Sequence, residues 1–244
     1  KLAYMLEDRI NENDEIIVSL LDHHSLIMPW QNIALKKKAK LVFVDLNEKN
    51  QITVENFKKC LNKNTKIVAL THVSNVLGVI SPVKEITKLA HEHGAIVILD
   101  GAQSVPHMKV DVKDLDVDFL AFSGHKMMAP TGTGILYGKY KLLNSLNPVE
   151  FGGDMNDGVE KYSSTYKDAP EKFEAGTQNI EGVIAFKKAI EYLSNLGLDN
   201  VHAHSKELAK YVVEQIKDNP LVELYTKNPE SGIVTFNIKD VHPH

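Results

Sequence analysis

From Glu15 to about Tyr140 the chain alternates short β-branched runs with amphipathic stretches, and this alternation constrains the fold more than any other feature. The strand candidates are Ile16–Leu21, Leu41–Leu46, Ile67–His72, Ile96–Asp100, Phe119–Ser123 and Gly134–Gly138. They are continuous apolar runs rather than strict alternations, as expected of strands covered on both faces. Between them Pro29–Lys38, Val54–Leu61 and Val83–His93 place apolar residues at helical spacing, and Gly94 supplies a helix stop. A β-α-β-α series of this kind predicts an α/β fold, a mostly parallel sheet with helices on both faces.

After Pro148 the pattern changes. Gly152-Gly153-Asp154 and the polar stretch to Gln178 read as a long loop, and long loops in compact domains are often functional. Helical patterns follow at Ile180–Leu196 and Leu198–Lys217, then strand patterns at Val222–Tyr225 and Ile233–Ile238. The division expected is a large domain over 1–179, with 180–244 forming a linker helix and the opening of a smaller domain. Lys1-Leu2-Ala3-Tyr4-Met5-Leu6 opens inside a helical pattern without a cap. Val241-His242-Pro243-His244 follows a strand with no evident partner, so a piece of a longer protein is expected.

Composition excludes several classes. With 43% hydrophobic and 25% charged residues, the 244-residue chain reads as a soluble globular protein. A net charge of −4 with interspersed signs favours neither nucleic acid nor a membrane surface. No apolar run approaches the roughly 18 residues that span a bilayer, and no secretory signal is visible. Cys60 is the single cysteine, so no internal disulfide forms and a reducing cytoplasm is the natural compartment. It reads as a packed or surface thiol. His91-Glu92-His93 lacks zincin spacing, His202-Ala203-His204 falls on a helix surface, and no metal site is supported. No G-x-G-x-x-G joins a strand to a helix, and Gly132-Thr133-Gly134 with Gly138-Lys139 misses the spacing of a phosphate loop.

Ligands of open parallel sheets bind outside the carboxyl ends of the strands. The unusual polar residues fall there: His23 and His24 after the first strand, His72, Ser74 and Asn75 after the third. Asp100 and Gln103 follow the fourth, and Ser123, His125 and Lys126 the fifth. Each alone is weak, because an Asp at a strand end is usually a turn former and a lone Lys is usually solvated. Their convergence on one edge is the argument. An acid for a pyridinium nitrogen and a lysine for a Schiff base are what pyridoxal 5′-phosphate requires. Asp100 and Lys126 are the candidates. Ser123 and His125 can donate to a phosphate, His23 can stack on the ring, and Gln103 can reach the phenolate oxygen.

These residues resemble a known group. His23-His24-Ser25-Leu26-Ile27-Met28-Pro29-Trp30-Gln31, Thr71-His72-Val73-Ser74-Asn75-Val76-Leu77-Gly78, Asp100-Gly101-Ala102-Gln103, Ser123-Gly124-His125-Lys126 and Phe173-Glu174-Ala175-Gly176-Thr177 are similar to cysteine desulfurases of the sulfur-mobilisation (Suf) type. Those enzymes sit in the class V aminotransferase group of fold-type I pyridoxal-phosphate proteins. The resemblance implies the large domain of that fold plus the start of a smaller α+β C-terminal domain. It also implies a homodimer, L-cysteine as substrate with L-selenocysteine as a variant, and a sulfur-acceptor protein of iron–sulfur assembly. Residue by residue it makes Lys126 the Schiff-base lysine and a catalytic residue together with His23, and Asp100 the partner of the pyridine nitrogen. Gln103 meets the ring oxygen, Asn75 lies beside the cofactor or substrate carboxylate, and Ser123 and His125 bind phosphate. Thr177 reaches the phosphate of the neighbouring subunit.

The departures limit the expectation. The family's Gly-Thr-Thr phosphate loop would precede this chain, and its sulfur-accepting cysteine and substrate-binding arginines would follow His244. The chain alone is therefore expected to be inactive. Ala129 stands where the family has Gly, a mild change in a turn. Selenocysteine lyase, kynureninase-like hydrolysis, transamination and a non-catalytic scaffold remain open alternatives on the same core.

Overall fold

A computed structural model describes residues 1–242. A six-stranded sheet is its centre, built from β1 (Glu15–Ser19), β2 (Lys40–Val44), β3 (Thr65–Thr71), β4 (Ile96–Asp100), β5 (Phe119–Ser123) and β6 (Gly134–Gly138). The strand order is β2-β1-β3-β4-β5-β6, with β6 antiparallel to β5 and every other pairing parallel. The chain steps from β1 to β2 on one side and to β3 on the other, so the order reverses between β1 and β3. Such a switch point opens a crevice at the carboxyl edge.

The helices are α1 (Leu2–Met5), α2 (His24–Lys37), α3 (Val54–Cys60), α4 (Val83–Glu92), α5 (Val112–Leu115) and α6 (Tyr140–Asn144). Two long helices follow, α7 (Ile180–Leu196) and α8 (Leu198–Ile216). Side chains of a strand alternate between faces, and the two cores obey this residue by residue. Ile17, Val68, Leu70, Val97, Leu99 and Leu120 pack with Phe57 of α3 and Ile86 of α4. Ile16, Val18, Ile67, Ala69, Ile98 and Phe119 pack on the opposite face with Trp30 and Ile33 of α2. Burial on both faces explains why the strands read as continuous apolar runs. Gly94, at φ +73°, stops α4 in a conformation that side chains avoid.

Three expectations change. The helix expected at Pro29–Lys38 begins at His24, because His23 caps it and Trp30, Ile33 and Ala34 bury its face, with Pro29 carried inside. The stretch expected to be one long loop contains a hairpin of β7 (Asn156–Val159) and β8 (Ser164–Tyr166), then a 3-10 turn at Glu171–Phe173. Its strands are polar or exposed, so burial leaves no imprint on the sequence. The last strand does have a partner: β10 (Phe236–Ile238) pairs antiparallel with β9 (Val222–Leu224). Pro243 and His244 lie outside the described residues. The segment after α8 docks on the loop that follows β3, where Glu230 accepts the Ile80 N–H at 2.7 Å and Thr226 donates to the Leu77 carbonyl at 3.3 Å. No helix among the described residues is long and apolar enough to cross a membrane.

Candidate active site

Alternation along β4 and β5 puts Ile98, Asp100, Ala121 and Ser123 on the α2 face of the sheet. There they line a cavity of about 470 Å³ together with His23, Ser25 and Leu26 from the start of α2, and His125 and Lys126 from beyond β5. Its size lies within the usual range for small-molecule and cofactor sites. A cavity of about 460 Å³ between Met5, Leu136, Pro148 and Phe173 is mainly apolar, and its Lys1 and Glu150 pair with one another. It lacks convergent polar groups, so the cavity at the carboxyl edge is the better candidate.

The sheet holds Asp100 at the last residue of β4, in register with Thr71 of β3 and Ala121 of β5. One carboxylate oxygen accepts the Ala102 N–H at 2.9 Å. The other has no partner among the described residues. Lys126 stands on a 3-10 turn, Gly124–Met127, that leaves β5 directly. Met127 and Ala129 anchor that turn against Phe186, Ala189 and Leu193 of α7. The Lys126 amine likewise has no hydrogen-bond or ion-pair partner among the described residues. A carboxylate and an amine therefore face one cavity, each open to a ligand.

His23 is fixed by its neighbour two residues on. Its Nδ1 accepts the Ser25 N–H at 3.2 Å and lies 2.8 Å from Ser25 Oγ, capping α2. With Nδ1 accepting, the proton of a neutral ring sits on Nε2. His23 also belongs to a second cavity, of about 310 Å³, at the switch point between β1 and β3. Asp22, Ser74 and Asn75 line that one. The structure thus unites His23, Asp100, Ser123, His125 and Lys126, and sets Asn75 next door. Gln103, half-buried in the turn after β4, and Thr177, exposed before α7, line neither cavity.

Sequence reasoning passed over Asp22. It is 6% exposed, and its carboxylate accepts the Ser19 N–H at 2.6 Å and the Thr71 N–H at 2.7 Å. Burial pushes its pKa up to about 7, and the charge of Asp100 adds a smaller push against the two backbone donors. An acid at the end of an apolar run was the available signal, but its β3 partner is far away in sequence. His72 is also buried, with Nδ1 unpartnered, and burial lowers its pKa to about 4. Cys60, at the end of α3, packs beside the core of the sheet and lines neither cavity. Burial and then the charge of Asp45 raise its thiol pKa. Among the described residues no group of His, Cys, Asp or Glu is placed to hold a metal ion.

A mostly parallel sheet with a carboxylate, an amine, a hydroxyl and an imidazole gathered at its carboxyl edge defines an α/β protein with a candidate cofactor site. The aminotransferase class-V family matches residues 1–244, and the chain belongs to that family. A probable cysteine desulfurase of Halalkalibacterium halodurans is 50% identical over 235 residues, 96% of this chain and 58% of that protein. One from Staphylococcus epidermidis is 51% identical over 237 residues, 96% of this chain and 57% of that protein. The crystal structure of the cysteine desulfurase CsdA from Escherichia coli superposes with a TM-score of 0.94 at 35% identity. That match covers 98% of this chain and 59% of the other. The chain therefore spans somewhat under three fifths of the length of these relatives. The cofactor of such proteins is pyridoxal 5′-phosphate (PLP). The chemistry of the lining fits such a group: an open carboxylate oxygen, an unpartnered amine, a hydroxyl and an imidazole share one cavity.

Proposed function

We propose that this chain is the cofactor-holding part of a Suf-type cysteine desulfurase that works in the cytoplasm. The whole protein takes sulfur from L-cysteine, leaves L-alanine, and passes a protein-bound persulfide to an acceptor of iron–sulfur cluster assembly. The observation that carries this reading is the pairing of Asp100 and Lys126, both without competing partners, in one cavity. PLP, when bound, supplies an electron sink for the charge that develops at the substrate Cα.

The chain's own residues do the rest. The open oxygen of Asp100 accepts the N–H of the pyridine ring and holds that proton in place. The Lys126 amine is the covalent attachment point and moves the proton at the substrate Cα. Ser123 Oγ and the His125 ring donate to the phosphate, and His23 covers one face of the ring from its cap position. Asn75 takes the substrate carboxylate from the adjacent cavity, and Gln103 turns toward the ring oxygen. Thr177 serves the site of the partner subunit in a homodimer. In the sulfur step a protein thiolate bonds to the substrate sulfur and the C–S bond breaks. Its electron pair stays on carbon, and a proton completes alanine. Cys60 lies outside the cavity, so the accepting thiolate belongs to another part of the whole protein.

Full-length protein titrated with PLP should develop the visible absorbance of the lysine-attached cofactor and release alanine from cysteine. Lys126→Ala should lose both, and this chain alone should release no alanine. A full-length protein that does not bind PLP would overturn the reading, as would a Lys126→Ala variant that keeps the band and the alanine release.

A further inference from the structure

The residue before His23 has no part in the chemistry above, yet it ties together the strand ends that frame the site. Asp22 sits after β1, is almost fully buried, and uses its two carboxylate oxygens on two different strands. Oδ2 takes the Ser19 N–H of β1 at 2.6 Å, and Oδ1 takes the Thr71 N–H of β3 at 2.7 Å. β1 and β3 are neighbours at the switch point, where their carboxyl ends must splay to admit the crevice. Thr71 is in register with Asp100 on the next strand, and the following residue, His72, donates its N–H to the Asp100 carbonyl at 2.9 Å. The Asp22 carboxylate therefore joins β1 to the strand that carries the frame of Asp100. The next residue in the chain is His23, whose backbone turns into α2 and which lines the same cavity as Asp100.

We infer that Asp22 is a positioning residue for the cofactor ring: its bonds to Ser19 and Thr71 fix the height and tilt of His23 over the site framed by Asp100. Asp22 does not touch the cavity that holds Asp100 and Lys126, and it acts through His23. The inference rests on the PLP reading above. The backbone donors need acceptors at both oxygens. The amide of Asp22→Asn preserves shape but offers one acceptor, and its NH2 then faces a backbone N–H.

The test is a double-mutant cycle on full-length protein, with the dissociation constant of PLP and the induced visible circular dichroism of the bound chromophore as readouts. Asp22→Asn should weaken PLP binding about tenfold, the effect of losing one buried backbone hydrogen bond. It should also reduce the visible dichroism while the far-ultraviolet spectrum stays native. In a His23→Ala background the same substitution should change PLP affinity less than twofold, because residues acting through one another are not additive. Where Asp22→Asn does not accumulate, Asp22→Ser, which keeps one short acceptor, replaces it in the same cycle. Equal weakening in both backgrounds, or native PLP affinity and dichroism in Asp22→Asn, overturns the inference while the PLP reading stands. A native protein that binds no PLP overturns the reading itself.

Discussion

Gly124 is where one added methyl group tests how the fold aims its lysine. A Cβ at this position would stand 2.5 Å from Thr133 Oγ1, 3.2 Å from Ala129 Cβ and 3.3 Å from Phe186 Cε1. None of the three yields freely. The Thr133 hydroxyl donates to the Pro130 carbonyl at 2.9 Å, and Ala129 and Phe186 are buried in the cluster that anchors the turn to α7. The turn itself must move, which overpacking data put at about 2 kcal/mol. For a chain of this length that lowers Tm by roughly 4–8 °C. Lys126 is two residues further along the same 3-10 turn, so the displacement shifts its amine relative to Asp100. Calorimetry and PLP titration of Gly124→Ala should therefore show a lower Tm and a weaker visible band together. Gly153→Ala is the control: nothing lies within 4 Å of its Cβ, and stability should change by less than about 0.5 kcal/mol. Native Tm with an undiminished band in Gly124→Ala would refute the claim that close packing at this glycine positions the lysine.

Asp118, at the opposite edge of the sheet, accepts the Val97 N–H at 2.8 Å and meets His91 Nε2 at 2.9 Å and Lys139 Nζ at 3.0 Å. Asp118→Ala should cost about 3 kcal/mol in urea unfolding, mostly from the stranded buried N–H and carboxylate partners, yet leave PLP binding intact. Glu230→Ala frees the Ile80 N–H, so hydrogen exchange at Ile80 should accelerate by at least tenfold with little change in the β4 amides. The two perturbed buried groups beside the site oppose each other with pH. Asp22, with its folded pKa raised to about 7, contributes stability that is full below about pH 4 and lost as pH rises through 7. His72, lowered to about 4, contributes stability that is present above about pH 6.5 and lost as pH falls through 4. Asp22→Asn should therefore make stability climb more steeply with pH between about 4 and 6.5 than it does in the unsubstituted protein. An unchanged slope in the variant would refute the opposition.

The strands were legible because the sheet is buried on both faces, so position after position had to be apolar whichever way it pointed. β4, β5 and β6 fall at the expected residues, and the first three strands depart only at their ends. The start of α2 was not legible, since Pro29 imitates the first residue of a helix and only the tertiary burial of Trp30 and Ile33 carries the helix past it. β7 and β8 escaped notice for the opposite reason. Their side chains face solvent, and the pairing between them is made by backbone, which composition does not record.

The site divides along the same physical line. Asp100 and Ser123 were readable because a period of two along neighbouring strands sends both to one face, and the carboxyl-edge rule says where that face meets a ligand. Lys126 followed from its adjacency to Ser123. Asp22 was hidden because what distinguishes it is a bond to Thr71, a residue of the next strand in space but not in sequence. Local pattern can report which face a side chain takes, whereas it carries no trace of which distant backbone N–H will arrive beside it. For that reason a polar residue at a strand's carboxyl end is easier to read than the carboxylate that ties two such strands together, and Asp22, between β1 and β3 at the switch point, is of the second kind.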